Sequence, residues 1–133
     1  CPIGLASGHE DQIILRKISG LSKNLKYYHP KSIYEIMALI AFSAGYLGTS
    51  LHGAITAQSY GVPFIPLNQN LKKVEAYCKT WTAENIDRSL NFTELEKVST
   101  IIQNWNITAA RTNLQEQKDL VYKNFEEMWS SFN

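Results

Sequence analysis

Two hydrophobic periods alternate along the first two thirds of the chain. Short apolar runs at residues 2–5, 25–28, 44–47 and 63–67 predict strands. Between them apolar positions recur at helical spacing. Ser7-Gly8-His9-Glu10 has the form of a capping box, serine at the N-cap and glutamate three residues on. It predicts a helix to about Ser19, with Ile13, Ile14, Ile18 and Leu21 on one face and Gly20 at its end. Ser32-Ile33-Tyr34-Glu35 is a second box, opening a helix with Ile33, Ile36, Met37, Leu39 and Ile40 as its apolar positions. Residues 51–60 predict a helix of small residues (Gly53, Ala54, Ala57, Ser59) able to pack close to a neighbour, with Gly61 ending it. Asn70 caps a helix with Leu71, Val74 and Cys78 on one face. Strand and helix in strict alternation predict an α/β fold: a mostly parallel, Rossmann-like sheet with helices on both faces.

The last third carries only the helical period. Thr93-Glu94-Leu95-Glu96 predicts a helix to about Trp105, with Leu95, Val98, Ile102 and Trp105 spaced for burial. Thr112-Asn113-Leu114-Gln115 predicts the start of a long final helix carrying Leu114, Val121, Phe125, Met128, Trp129 and Phe132. This aromatic stripe reads as a surface packed on the sheet or on a further domain rather than as a ligand site. The expected division is residues 1–81 as the α/β core and residues 82–133 as helices packed on it, in one domain.

Composition narrows the function. A chain of 133 residues can bury a real core. The 13 basic and 12 acidic residues nearly cancel, and basic residues are adjacent only in the pairs Arg16-Lys17 and Lys72-Lys73. Nucleic acid is therefore not an expected partner. Two cysteines, Cys1 and Cys78, make no disulfide framework, and Cys78 reads as a reduced core thiol. The sequons at Asn91 and Asn106 are short enough to arise by chance. No zinc spacing, Walker loop, dinucleotide fingerprint or nucleophile elbow occurs, so no metal or cofactor is expected. No apolar run approaches the roughly 18 residues of a membrane span, and no signal peptide is expected. The opening Cys1-Pro2-Ile3-Gly4-Leu5 reads as a strand end without an initiator Met, which leads us to expect a chain cut from a longer protein.

The chemistry concentrates at Gly48-Thr49-Ser50-Leu51-His52-Gly53. Ligands of open parallel sheets bind beyond the C-terminal strand ends. A helix starting there presents free N–H groups and a positive dipole end to an anion. Thr49 and Ser50 add hydroxyls, His52 adds a ring N–H, and Gly48 and Gly53 are expected to keep the backbone accessible. A plainer reading stays open: Thr49 or Ser50 serves only as an N-cap, and His52 is structural.

The stretch from Tyr46 to Ala57, followed by Tyr60-Gly61-Val62-Pro63, resembles the hallmark of the polysaccharide pyruvyl transferase family. The usual form is Ser-Arg-Leu-His-Gly, a small-residue helix, then Gly-Val-Pro. His9-Glu10-Asp11 and Ser32-Ile33-Tyr34-Glu35 with Leu39-Ile40-Ala41 also resemble family segments, so the likeness covers roughly residues 1–81. It implies the C-terminal half of a two-domain, glycosyltransferase-B-like enzyme, moving a pyruvyl group from phosphoenolpyruvate to a sugar or glycolipid acceptor of a surface polysaccharide. The cleft would lie against a missing N-terminal domain, so this chain alone would be inactive. Location would be cytoplasmic, or membrane-associated through the pathway. The resemblance puts Leu51 and His52 at the phosphoenolpyruvate site, His52 as general acid or phosphate ligand, with Gly48, Thr49, Ser50 and Gly53 binding substrate. His9 or Asp11 would face the acceptor; alternatively Glu10 and Asp11 merely complement a helix dipole. One position departs: Ser50 stands where many members carry Arg, replacing a bidentate cation by one neutral donor. Two rivals remain, a nucleotide-sugar-dependent glycosyltransferase domain and a degenerate non-catalytic module.

Overall fold

The structure, a computed structural model, describes residues 2–3, 11–67, 72–82 and 89–132. Its centre is a strand–helix–strand crossover. Strand β1 (Tyr46–Gly48) runs parallel to β2 (Phe64–Pro66), with Tyr46 opposite Phe64, Leu47 opposite Ile65 and Gly48 opposite Pro66. Helix α3 (Leu51–Ser59) connects them. The ladder extends at both ends: Tyr46 N–H donates to the Pro63 carbonyl (2.7 Å) and Leu67 N–H to the Gly48 carbonyl (2.9 Å). Leu90 forms an isolated parallel bridge with Leu67. Among the described residues the protein is thus mixed α/β, mostly helical, with a two-stranded parallel sheet.

Helix α3 ends in a Schellman arrangement, Gly61 N–H to the Gln58 carbonyl and Val62 N–H to the Ala57 carbonyl, both 2.9 Å. Gly61 takes the left-handed backbone (φ 67°) that this turn requires and that a Cβ would disfavour. Helix α1 spans Asp11–Ser19 and α2 spans Ile33–Ala41. Ser32 caps α2 by accepting the Glu35 N–H (3.3 Å). The reciprocal arm reaches one residue further back than a standard box, since the Glu35 carboxylate takes the Lys31 N–H (2.8 Å). That bond, with one from the Tyr28 hydroxyl, holds the Glu35 carboxyl below its ordinary value. Helix α4 (Lys72–Trp81) buries Val74 and Cys78 as its spacing predicts. Asn70, Leu71 and the Ser7 box lie outside the described residues.

Several expectations are corrected. Residues 25–28 form no strand; Leu25 N–H turns back to the Ser22 carbonyl (3.1 Å), and the Tyr28 hydroxyl is taken by Glu35 (3.1 Å). A strand needs a neighbour to receive its alternate N–H and C=O groups, and this run meets none among the described residues. Pro2 and Ile3 are not in a strand either, and residues 4–5 lie outside the description. The apolar face of α1 is exposed at Ile13, Ile14, Ile18 and Leu21. In the last third the helix start moves from Thr93 to Asn91, whose N–H binds the Glu94 carboxylate (3.1 Å) ahead of a 3-10 helix, Phe92–Lys97. That turn runs into α5 (Val98–Gln103). Thr112–Gln115 is no helix start but the interior of α6 (Ile107–Ser130), which begins where Asn106 Oδ1 accepts the Ala109 N–H (2.9 Å). No glycine or proline interrupts the 24 residues that follow, so nothing stops the helix before Thr112.

Helices lie against both faces of β2. Phe64 joins Ile36, Ile40, Ala54, Ala57, Val62, Val74 and Cys78, from α2, α3 and α4 and the β2 approach, and Trp105 tilts onto its ring (5.9 Å). On the other face Ile65, Leu67 and Leu90 meet Val98, Ile101 and Ile102. The far half of α6 joins neither cluster: Val121, Phe125, Met128, Trp129 and Phe132 are 51–77% exposed, so the expected packing of this stripe on the sheet is not seen.

Candidate functional site

The turn from β1 into α3 lies at the C-terminal edge of the parallel pair, where open α/β sheets expose their ligand sites. Ser50 has extended backbone (φ −82°, ψ 124°) and is the N-cap of α3. Its Oγ accepts the Gly53 N–H (3.3 Å) and its carbonyl accepts the Ala54 N–H (3.1 Å). Of the two roles left open by spacing, capping is the one seen for Ser50, whose side chain also hydrogen-bonds the Tyr46 phenol. The N–H groups of Leu51 and His52 precede any carbonyl the helix can offer them, so they point out of its first turn. Thr49 is exposed. His52 is exposed on the first turn, and its carbonyl accepts the Thr56 hydroxyl (2.8 Å). The Leu51 side chain turns inward against the first apolar cluster, leaving only its backbone to a ligand.

Tyr46 is the member of this turn that sequence reasoning missed. It sits two residues before Gly48, on the same side of β1 by the period of two. A Cβ on Gly48 would come within 2.5 Å of the Tyr46 hydroxyl oxygen, and a Cβ on Gly53 would meet that same oxygen. The phenol donates to the Ser50 carbonyl across 3.5 Å. Burial pushes the Tyr46 phenol up to about 12. The expectation that Gly48 and Gly53 stand open to a ligand is corrected on this side of the turn: the space their missing Cβ atoms leave is filled by Tyr46.

His9 lies outside the described residues, as does Glu10; Asp11 opens α1, and its side chain is outside the description. Among the described residues no three His, Cys, Asp or Glu side chains assemble to hold a metal ion. A cavity of about 650 Å³ opens beside Leu90, rimmed by Ser89, Thr100 and the Glu94–Lys97 ion pair (2.6 Å), and no residue of the 48–53 turn lines it. No described helix is long and apolar enough to cross a membrane.

No curated protein and no solved structure matches the chain. The family model for polysaccharide pyruvyl transferase matches residues 1–70, which take in α1, α2, the whole β1–α3–β2 crossover and the turn at its centre. With more than half of its 133 residues inside that match, the chain belongs to the polysaccharide pyruvyl transferase family, a family of transferases whose name implies a saccharide acceptor.

Proposed function

We propose that this chain is the C-terminal, Rossmann-like half of a glycosyltransferase-B-like enzyme that transfers a pyruvyl group from phosphoenolpyruvate to a sugar or glycolipid acceptor. The transfer joins two acceptor hydroxyl oxygens to the central enol carbon as a ketal, while one hydroxyl proton goes to the methylene, which becomes a methyl group, and the other leaves with the phosphate. The observation that carries this reading is the family match over a turn whose free N–H groups, from Leu51 and His52, open at the C-terminal edge of the sheet. In it His52 donates the proton or holds the phosphate. Thr49 and Ser50 donate hydroxyl bonds, and Gly48 and Gly53 give the turn its shape. His9 or Asp11 contacts the acceptor, and the cleft closes against a further domain. The reaction takes place in the cytoplasm, with membrane association through a lipid-linked acceptor.

Because Ser50 offers one neutral donor where many relatives offer a guanidinium, the turn should hold phosphate only weakly, on the order of millimolar, about 4 kcal/mol. A phosphate titration followed by NMR should shift the Leu51 and His52 amides in a saturable way. Amides that stay still here while others move would remove the anion site. In an active enzyme containing this chain, His52→Ala should lower turnover about 10²-fold. Wild-type rates in a folded variant would leave His52 structural. Ser50 in the arginine position also favours a second reading, a domain that keeps the fold without turnover. Activity of the enzyme that requires His52 would exclude it.

A further inference from the structure

The two glycines flanking the turn would ordinarily be credited to a ligand's approach, yet their contacts here are internal. Tyr46 leaves β1 with its ring against the first apolar cluster and its hydroxyl beside three points of the turn: Gly48 at the strand end, the Ser50 carbonyl at the cap, and Gly53 in the first turn of α3. The ring therefore spans the junction from strand to helix. Resting on the anion-binding reading above, we infer that Tyr46 is the positioning residue of this site, a wedge between Gly48 and Gly53 that sets the angle at which α3 leaves the sheet and so the aim of the Leu51 and His52 N–H groups.

Two features separate a wedge from a tether. The hydroxyl meets the Ser50 carbonyl at 3.5 Å, at the limit of a hydrogen bond, with the Ser50 side chain as a further polar partner, and Tyr46→Phe removes these bonds while keeping the ring. The steric limit is tighter: a Cβ added at Gly48 would lie 2.8 Å from the ring carbon that carries the hydroxyl, closer than side chains pack. The ring cannot simply swing aside, because its inner edge rests on the packed cluster. Size is the property to which the two glycines answer. Glycine at both positions follows from Tyr46, and alanine at either would force the ring or the helix to move.

The test pairs stability with binding. Tyr46→Phe keeps the wedge and should bind inorganic phosphate within about threefold of wild type, the scale of one weak hydrogen bond. Tyr46→Leu stops short of both glycines and should weaken phosphate binding at the Leu51 and His52 amides about tenfold or more, as misaligned sites do. Gly53→Ala should lower the unfolding midpoint clearly in the Tyr46 background and much less in the Tyr46→Leu background. Equal losses in the two backgrounds would overturn the wedge. Phosphate binding that Tyr46→Leu leaves intact would overturn the positioning role alone, whereas no binding by wild type would overturn the anion reading and this inference with it. Should Tyr46→Leu fail to fold, Gly48→Ala presses on the same ring from the strand side and should weaken phosphate binding by the same order; unchanged binding would count against the wedge.

Discussion

Ser50 joins an observed role, the cap of α3, to a proposed one, and substitutions can separate the two. As the cap of α3 it satisfies the Gly53 N–H (3.3 Å), and at the lip of the candidate site it is the residue nearest to the family's arginine position. Ser50→Ala should cost about 1 kcal/mol of folding stability through the lost cap. Ser50→Asp should keep that stability, since aspartate caps as well as serine, while abolishing phosphate binding by placing a carboxylate at the proposed anion site. Urea unfolding beside a phosphate titration reads both. If the aspartate variant were as destabilised as the alanine variant, capping would not be what Ser50 contributes. The sequence carried both readings of Ser50, because capping and anion binding draw on the same helix end. Tyr46 was not legible there: a tyrosine before a turn says nothing of which way its ring lies until the neighbouring core directs it.

At the scale of elements, α3 is held at both ends. Its start is set by Ser50 and its end by a polar cluster around Gln58, which is only 8% exposed. Gln58 Nε2 lies 2.8 Å from the Trp81 carbonyl of α4 and 3.2 Å from Gln117 Oε1 of α6, and Gln58 Oε1 accepts the Tyr77 hydroxyl (2.7 Å). Gln117 Nε2 donates to Asn113 (2.7 Å) and to the Trp81 carbonyl as well. Gln58→Leu would strip partners from several part-buried groups at once and should cost about 1–3 kcal/mol. Amide exchange in the first half of α6 should accelerate before that of α2, because these bonds join α6 to the core. Unchanged exchange there would mean apolar contact alone holds the helix. The glutamine was unremarkable in the sequence, a polar residue among small ones. Only the meeting of three helices made it a clamp.

For the whole molecule the first apolar cluster is the common support, and two tyrosines report on it. Tyr46 and Tyr77 both pack against it, and burial pushes each phenol from 10.0 up to about 12. The folded protein thus holds these protons more tightly than the unfolded chain. The stability they confer is complete below pH 10.0 and is lost as pH rises through about 12. Unfolding free energy should fall across that window by on the order of 2 kcal/mol for Tyr46, and by less for Tyr77, where solvent screens part of the effect. Denaturant unfolding at stepped pH measures it, and Tyr46→Phe should shrink the fall. A flat profile would show that neither phenol is buried in solution.

Local pattern determined much of this protein by itself. The strands expected at 44–47 and 63–67, found at 46–48 and 64–66, the small-residue helix between them, its end at Gly61 and the buried stripe of α4 all follow from short-range spacing and backbone sterics, which need no distant partner. The family motif was legible for the same reason, since its residues are contiguous. Tertiary structure decided what depends on a partner. Residues 25–28 have strand composition but no neighbouring strand among the described residues, so their hydrogen bonds close locally. Thr112 has the chemistry of a cap but lies where upstream carbonyls of α6 already serve its N–H. Gly48 and Gly53 looked like space for a ligand, and the fold gave that space to Tyr46. A spacing rule records which groups a residue can offer; only packing decides which neighbour takes them.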